Sequence, residues 1–230
     1  IAILENKDLV ELFIETPDHR RMVGSIYKGR IQNVIPGMQA AFVDIGYDLN
    51  AFLPFSEIGS SEKLKNLSFD ENETSDSKSK KITKKTSQSN LKINDEILVQ
   101  VIKEPFSGKG PRVTTDFSIP GSLMVLVPNE NYIGISRKIN DKYEKRRLRK
   151  IAENFKPDGF GIIIRTIAEG LEEKKLKADF DRVWKMWKDV ESKTNTKNAP
   201  YQVYQDFNTS EQVIRDLFTH DVDNLFIDDK

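Results

Sequence analysis

The sequence predicts an α+β fold. Three observations carry that prediction. Short segments of alternating oily and polar residues crowd residues 26–58 and resume at 96–115. Longer helical patterns come only later, at 141–155 and 172–190. Between the two groups of strands lies a stretch, 59–90, that is poor in aromatic and branched apolar residues.

Residues 1–4 and 9–15 are apolar runs joined by Glu5, Asn6, Lys7 and Asp8, the pattern of a β-hairpin with a polar turn. Thr16, Pro17 and Asp18 end its second strand. His19, Arg20 and Arg21 read as a solvated linker, with phosphate contact by the two arginines as the second reading.

The next strand alternates from Ile26 to Gln32 and puts Lys28, Arg30 and Gln32 on one side. Pro36 and Gly37 turn the chain. In the strand 40–45, Ala41, Val43 and Ile45 share one face, and Phe42 and Asp44 the other. After a polar turn at 46–50, Ala51, Leu53 and Phe55 point one way, and Phe52 and Pro54 the other. Phe42 and Phe52 are thus aromatics on neighbouring strands, opposite the core face and beside Lys28 and Arg30. A base-stacking platform needs that arrangement, because every base has a π-face and stacking contributes about 1–3 kcal/mol per base. The competing reading packs both rings under another part of the chain, and alternation alone leaves the two readings level.

Residues 59–90 are rich in Ser, Lys, Asn, Asp, Glu and Thr. They offer too little apolar surface to offset the entropy of ordering, so a mostly disordered insertion is expected, with a short helix at 60–67 as an option. Lys78, Lys80, Lys81, Lys84 and Lys85 would add weak, salt-sensitive RNA affinity at most. Strands are expected again at 96–103 and 112–115, joined by a Gly/Pro loop. In that loop Lys109 stands between Gly108 and Gly110, clear of neighbouring side chains, where a cation reaches a phosphate easily.

Ile119, Pro120 and Gly121 open a third region. An apolar strand at 122–127, a turn at 128–131 and a short strand at 132–136 lead to Arg137 and Lys138. The helix at 141–155 is expected to bury Tyr143, Leu148, Ile151, Ala152 and Phe155 and to solvate Lys145, Arg146, Arg147 and Arg149. A buried strand at 160–164 ends in Arg165 and Thr166. A guanidinium beside a hydroxyl at a strand end makes a compact phosphate receptor, since Arg binds phosphate bidentately. The helix at 172–190 carries a stripe of Leu176, Phe180, Val183, Trp184, Trp187 and Val190, read as core. A polar linker at 191–200 and a strand at 201–206 follow. Thr209 and Gln212 fit a capping box for a helix running to about residue 218, and 224–227 reads as a last strand.

Composition narrows the function classes. The chain has 230 residues, 31% of them charged, and no apolar run approaches a membrane span. No signal-peptide pattern opens it. It begins with Ile rather than Met, so a fragment is expected. Without Cys, it has neither disulfides nor thiolate metal sites, and His19 and His220 sit in no ligand-spaced motif. A formal net charge of zero means that any nucleic-acid site is a local patch rather than a global field.

Several segments carry a resemblance. YKGRI (27–31), GMQAAFVDIG (37–46), AFLPFSEI (51–58) and KGPRVTT (109–115) resemble the OB-fold RNA-binding domain of the ribonuclease E/G family of bacterial and plastid endoribonucleases. PGSLMVLVPN (120–129), GISRKI (134–139) and GIIIRT (161–166) resemble that family's 5′-sensor segments, in the family's order. The resemblance implies a five-stranded OB-fold β-barrel at 24–116, with the insertion at about 59–90, followed by an α/β 5′-sensor subdomain at 117–200. Both would be inserted in a split, incomplete RNase H-like subdomain made of 1–23 and 201–230.

By the same resemblance, Phe42, Phe52 and Lys109 hold single-stranded RNA, with Arg112, Lys28 and Arg30 nearby. Arg165 and Thr166 bind a 5′-monophosphate, Gly121 and Val125 shape the pocket around the terminal nucleotide, and Arg137 assists. A triphosphate would be too large and too charged for such a pocket. The family cuts RNA with a Mg²⁺ held by two Asp residues in a later subdomain, which, like its zinc-binding Cys pair, is expected after residue 230. No catalytic residue and no metal site is identified in this chain, and Asp228 and Asp229 read as an exposed terminus. The parent enzyme is expected to use Mg²⁺, to cleave single-stranded RNA in mRNA decay and rRNA and tRNA processing, and to form a homo-oligomer. The expected compartment is the cytoplasm, or the plastid stroma if the gene is organellar. The alternative is a non-catalytic RNA-binding protein from a shortened gene. An unrelated OB-fold translation or ribosome factor is a third reading, opposed by the order of the sensor-like segments.

Overall fold

The computed structural model describes residues 1–14, 21–59, 91–217 and 222–227. Strands β1 (Ala2–Glu5) and β2 (Asp8–Leu12) form the expected antiparallel hairpin, turned at Asn6 and Lys7. Leu4, Leu9, Val10 and Leu12 on it are more than half exposed.

The barrel is built on β3 (Ile26–Ile35), whose neighbours in chain order are β4 (Ala40–Asp44), β5 (Ala51–Pro54), β6 (Glu96–Lys103) and β7 (Arg112–Thr114). Hydrogen bonds run β3-β4-β5-β7-β6 and close through β6 back to β3, so five strands make a barrel without a free edge. Only β5 and β7 pair in parallel; the other neighbours are antiparallel. The predicted inward residues meet inside: Val43, Ile45, Ala51 and Leu53 pack with Tyr27, Val99, Val101 and Val113. The period-2 alternation read from the sequence is the physical cause, because it turns every second side chain to one face.

Beyond the barrel come β8 (Ile119–Pro120), β9 (Met124–Pro128), β10 (Ile133–Ile135), α1 (Lys142–Glu153), β11 (Phe160–Ile164) and α2 (Glu173–Thr196). The strands form a sheet in the order β10-β11-β9-β8, and α1 is the crossover between the parallel pair β10 and β11. Leu148, Ile151 and Ala152 of α1 and Leu176, Phe180, Val183, Trp187 and Val190 of α2 are buried against it, and Trp184 packs at the margin. Each fully buried aliphatic side chain stabilises this layer by roughly 1.5–3 kcal/mol. Tyr143 departs from the expected face and is 80% exposed. It lies five positions before Leu148, about 140° around the helix, which turns it to water.

Two further elements tie the parts together. Strand β12 (Tyr201–Tyr204) pairs with β3 outside the barrel. Ile26 and Val203 enter the same buried cluster as the four-stranded sheet, while Tyr27, one residue on, points into the barrel. The start of β3 is therefore a wall shared by two cores. Helix α3 (Thr209–Leu217) follows β12. Its capping box lies one residue earlier than expected: Asn208 Oδ1 accepts from the Glu211 amide at 2.8 Å, and the Glu211 carboxylate accepts from the Asn208 amide at 3.0 Å. Gln212 instead donates to the Phe207 carbonyl. Asn208→Ala is expected to cost about 1 kcal/mol of stability, read as a lower urea midpoint at unchanged slope. An unchanged midpoint would mean that tertiary docking alone holds the helix.

Two other expectations are corrected. Residues 222–227 form no strand, and Leu225, Phe226 and Ile227 are exposed, because no strand among the described residues hydrogen-bonds to them. The strand expected from residue 122 begins at Met124, since 121–123 is drawn into a turn by Asp179. The insertion at 60–90 with its optional helix and lysines, His19, Arg20, His220, Asp228 and Asp229 lie outside the described residues. No helix among the described residues is long and apolar enough to cross a membrane.

Candidate nucleic-acid interface

Two surfaces collect the residues singled out in the sequence. The first is on the barrel. Phe42 and Phe52 stand directly opposite each other across β4 and β5, with ring centroids 5.8 Å apart and planes tilted by 59°. Both are partly exposed, and neither joins either buried cluster. Arg112 is the parallel partner of Phe52 and carries an ion pair to Glu57 at 3.0 Å.

The loop before β7 leans on the same end of the barrel. It turns tightly at Ser107 and Gly108, both at positive φ, closed by hydrogen bonds between Phe106 and Lys109 in both directions. The Phe52 amide donates to the Pro111 carbonyl at 2.8 Å. Gly110 has no room for a side chain, since a Cβ there would meet the Asn50 carbonyl oxygen at 2.0 Å. That contact fixes Lys109, which is exposed, beside the strand that carries Phe52. The loop also presents Phe106, 80% exposed, which sequence reading passed over. The available signal was an aromatic next to a Ser-Gly turn in a polar loop. Gly110→Ala is expected to cost about 1–3 kcal/mol through overpacking and to weaken single-stranded RNA binding, because Lys109 moves with the loop. A variant with wild-type melting and binding would show that the contact yields.

Lys28 and Arg30 do not join this surface. Lys28 Nζ lies 2.8 Å from both Glu96 and the Lys197 carbonyl, and Arg30 reaches the Ala199 carbonyl at 3.3 Å and Glu96 at 3.6 Å. They clamp the segment between α2 and β12 to the barrel. The Lys28 hydrogen bond, with that of the Ala199 amide, holds the Glu96 carboxyl below its ordinary range.

The second surface is an open cleft of about 560 Å³ at the C-terminal end of β11. Its lining includes Ser122, Ser136, Arg137, Lys138, the segment Ile163 to Ile167, Arg215 and Asp216. The Thr166 and Ser136 hydroxyls are 2.8 Å apart. Val125 pairs with Ile163 in the sheet and so lies next to the floor of the cleft. Gly121 supplies a carbonyl that accepts from Arg165 Nη1 at 3.0 Å. Its backbone approaches α2 so closely that a Cβ would meet Asp179 Oδ2 at 2.5 Å. Asp179 is buried, accepts the amides of Ser122, Leu123 and Met124, and is paired with Arg182. Four donors on one carboxylate hold the 121–124 turn against Arg165.

Sequence reading did not find Asp216 and Arg215, which α3 delivers into this cleft. Asp216 Oδ1 accepts from Arg165 Nη1 at 2.6 Å and from Arg215 Nε at 2.9 Å, and its Oδ2 accepts from Arg215 Nη2 at 2.8 Å. Burial works to raise the Asp216 carboxyl, but the hydrogen bonds from Arg215 and Arg165 outweigh it and hold the group below the usual aspartate range. Among the described residues no His, Cys, Asp and Glu group of three or more is placed to hold a metal ion.

The chain is similar in sequence to known proteins. A model of the ribonuclease E/G family matches residues 118–230, and a model of the S1 RNA binding domain matches residues 20–109. Ribonuclease G of Escherichia coli K12 is 33% identical over 230 residues, which is 100% of this chain and 45% of that protein. The chain belongs to the ribonuclease E/G family. Ribonuclease G of Haemophilus influenzae is 35% identical over 230 residues, again 100% of this chain and 45% of that protein. Ribonuclease E of Synechocystis is 32% identical over 228 residues, 99% of this chain and 31% of that protein. The chain thus spans less than half the length of these ribonuclease G and ribonuclease E relatives. Within this ribonuclease E/G family chain, the aromatic pair and the first four barrel strands fall in the S1 match, and the cleft with Arg165, Thr166 and Asp216 falls in the family match.

Proposed function

We propose that this chain is the RNA-capturing and 5′-end-sensing portion of a Mg²⁺-dependent endoribonuclease. The parent enzyme cleaves single-stranded RNA in mRNA decay and in rRNA and tRNA processing. It acts as a homo-oligomer in the cytoplasm or plastid stroma. The barrel, residues 24–116, holds the strand: Phe42 and Phe52 stack bases while Lys109 and Arg112 meet phosphates. The sensor subdomain, 117–200, receives the 5′-monophosphate on Arg165 and Thr166, with Arg137, Gly121 and Val125 around it. Residues 1–23 and 201–230 belong to the RNase H-like subdomain.

The observation that carries this reading is a guanidinium, Arg165, and a hydroxyl pair, Thr166 and Ser136, lining one open cleft at a strand end. A terminal phosphate offers three acceptor oxygens to such donors. The test uses the 230-residue chain, Mg²⁺ and a 3′-labelled single-stranded RNA with either a 5′-monophosphate or a 5′-hydroxyl. Tighter binding of the monophosphate form without cleavage is expected. Equal or absent binding of the two RNAs would overturn the reading, and specific cleavage would put a metal site inside this chain.

A further inference from the structure

The cleft holds an anion of its own. Asp216 sits on Arg165, at 2.6 Å, where the reading above places the terminal phosphate. Arg215 grips the same carboxylate from the other side through Nε and Nη2, at 2.9 and 2.8 Å. The Arg215 side chain is only 10% exposed and also lies 3.9 Å from Asp206. Its Nη1 is buried and has no hydrogen-bond partner. Asp206 itself is fixed, with its amide donating to Ser25 Oγ at 3.2 Å on the barrel side. The carboxylate is therefore delivered by a docked helix rather than by a loose tail.

We infer that Asp216 is a built-in competitor that sets the charge threshold of the cleft, so that a doubly charged terminal phosphate displaces it from Arg165 and a singly charged internal phosphodiester does not. The inference rests on the reading of Arg165 and Thr166 as the phosphate receptor. Its physical basis is a comparison of like with like. A carboxylate and a phosphodiester each carry one negative charge, so exchanging one for the other on Arg165 gains little. A terminal phosphate monoester carries about −1.5 to −2 at neutral pH and brings three acceptor oxygens, so it wins the exchange. A 5′-hydroxyl brings no charge and leaves the pair intact. Displacement breaks only the bond from Arg165, because Arg215 keeps hold of the same carboxylate. Asp216 thus lowers the affinity of the cleft for a phosphorylated end and keeps internal phosphodiesters off Arg165.

The test compares wild type with Asp216→Asn in the 230-residue chain. Asn keeps the size and one acceptor oxygen but removes the charge. The probes are one short single-stranded RNA with a 5′-monophosphate and the same RNA with a 5′-hydroxyl, followed by fluorescence anisotropy. For Asp216→Asn, the monophosphate form is expected to bind about tenfold tighter and the 5′-hydroxyl form to change less, so the ratio between them widens. Weaker monophosphate binding would overturn the inference and make Asp216 a residue that positions Arg165. Unchanged affinities would overturn it too. If wild type shows no preference for the monophosphate, the receptor reading fails as well; if wild type prefers it and the variant does not tighten, only this inference fails. Where Asp216→Asn melts too early, Asp216→Ser removes the charge with a smaller polar group and is read the same way.

Discussion

Arg165→Ala erases the preference for 5′-monophosphorylated over 5′-hydroxyl RNA. The guanidinium is the charged donor at the end of β11, and it carries the charge-assisted hydrogen bonds that a phosphate needs. Two such bonds, each contributing about 1.5–3 kcal/mol, correspond to a loss of roughly 100-fold or more in monophosphate affinity. The competing role is structural, since Arg165 also donates to the Gly121 and Ser122 carbonyls and pairs with Asp216. Its side chain is 29% exposed, so water reaches the groups it leaves behind, and the variant is expected to fold. Arg165→Lys separates the two roles. It keeps the charge but not the planar fork, so it should restore part of the affinity and little of the selectivity. A preference that survives Arg165→Ala in a folded protein would show that the phosphate binds elsewhere.

Phe52→Ala weakens binding of single-stranded RNA regardless of its 5′ end. Loss of one stacking surface lowers affinity by about 1–3 kcal/mol, or roughly 5- to 150-fold. The Phe42 and Phe52 rings neighbour each other in a tilted pair with centroids 5.8 Å apart, so removing one ring also frees the other. The double variant is therefore expected to lose less than the sum of the single losses. Neither ring belongs to a buried cluster, so the thermal midpoint should move little. Loss of the cooperative transition in Phe52→Ala would mean that the ring is core, and the packed reading would return. The two predictions are separable: Arg165→Ala changes the ratio between RNAs, whereas Phe52→Ala lowers both affinities together.

Much of the architecture was legible in the chain. Alternation at Val43, Ile45, Ala51 and Leu53 named the barrel interior, because a strand turns every second side chain to one face. Helical spacing named Leu176, Phe180, Val183, Trp187 and Val190 as one buried stripe for the same kind of reason. Arg165 and Thr166 stood out because their chemistry is local, two adjacent residues at a strand end. The errors were equally specific. Tyr143 was placed on the core face, although five positions before Leu148 turns it away. The 224–227 run has strand composition but finds no partner strand among the described residues. The capping box slipped by one residue because Asn208 and Thr209 are both good caps, and pattern alone does not rank them.

The sequence by itself determined most of the buried stripe of each long helix and which face of each barrel strand its residues share, since periodicity is a property of neighbours in the chain. Only the tertiary structure decided what the charged residues do. Lys28 and Arg30 looked like cations on the RNA face, yet they hold carbonyls 169 residues away. Arg165 looked like a free phosphate receptor, yet it meets a carboxylate 51 residues on. That meeting depends on how α3 docks after β12, through Asp206 on Ser25 and the tight approach of Gly24. A long charged side chain takes whichever partner the fold brings within reach, and no local pattern records that choice.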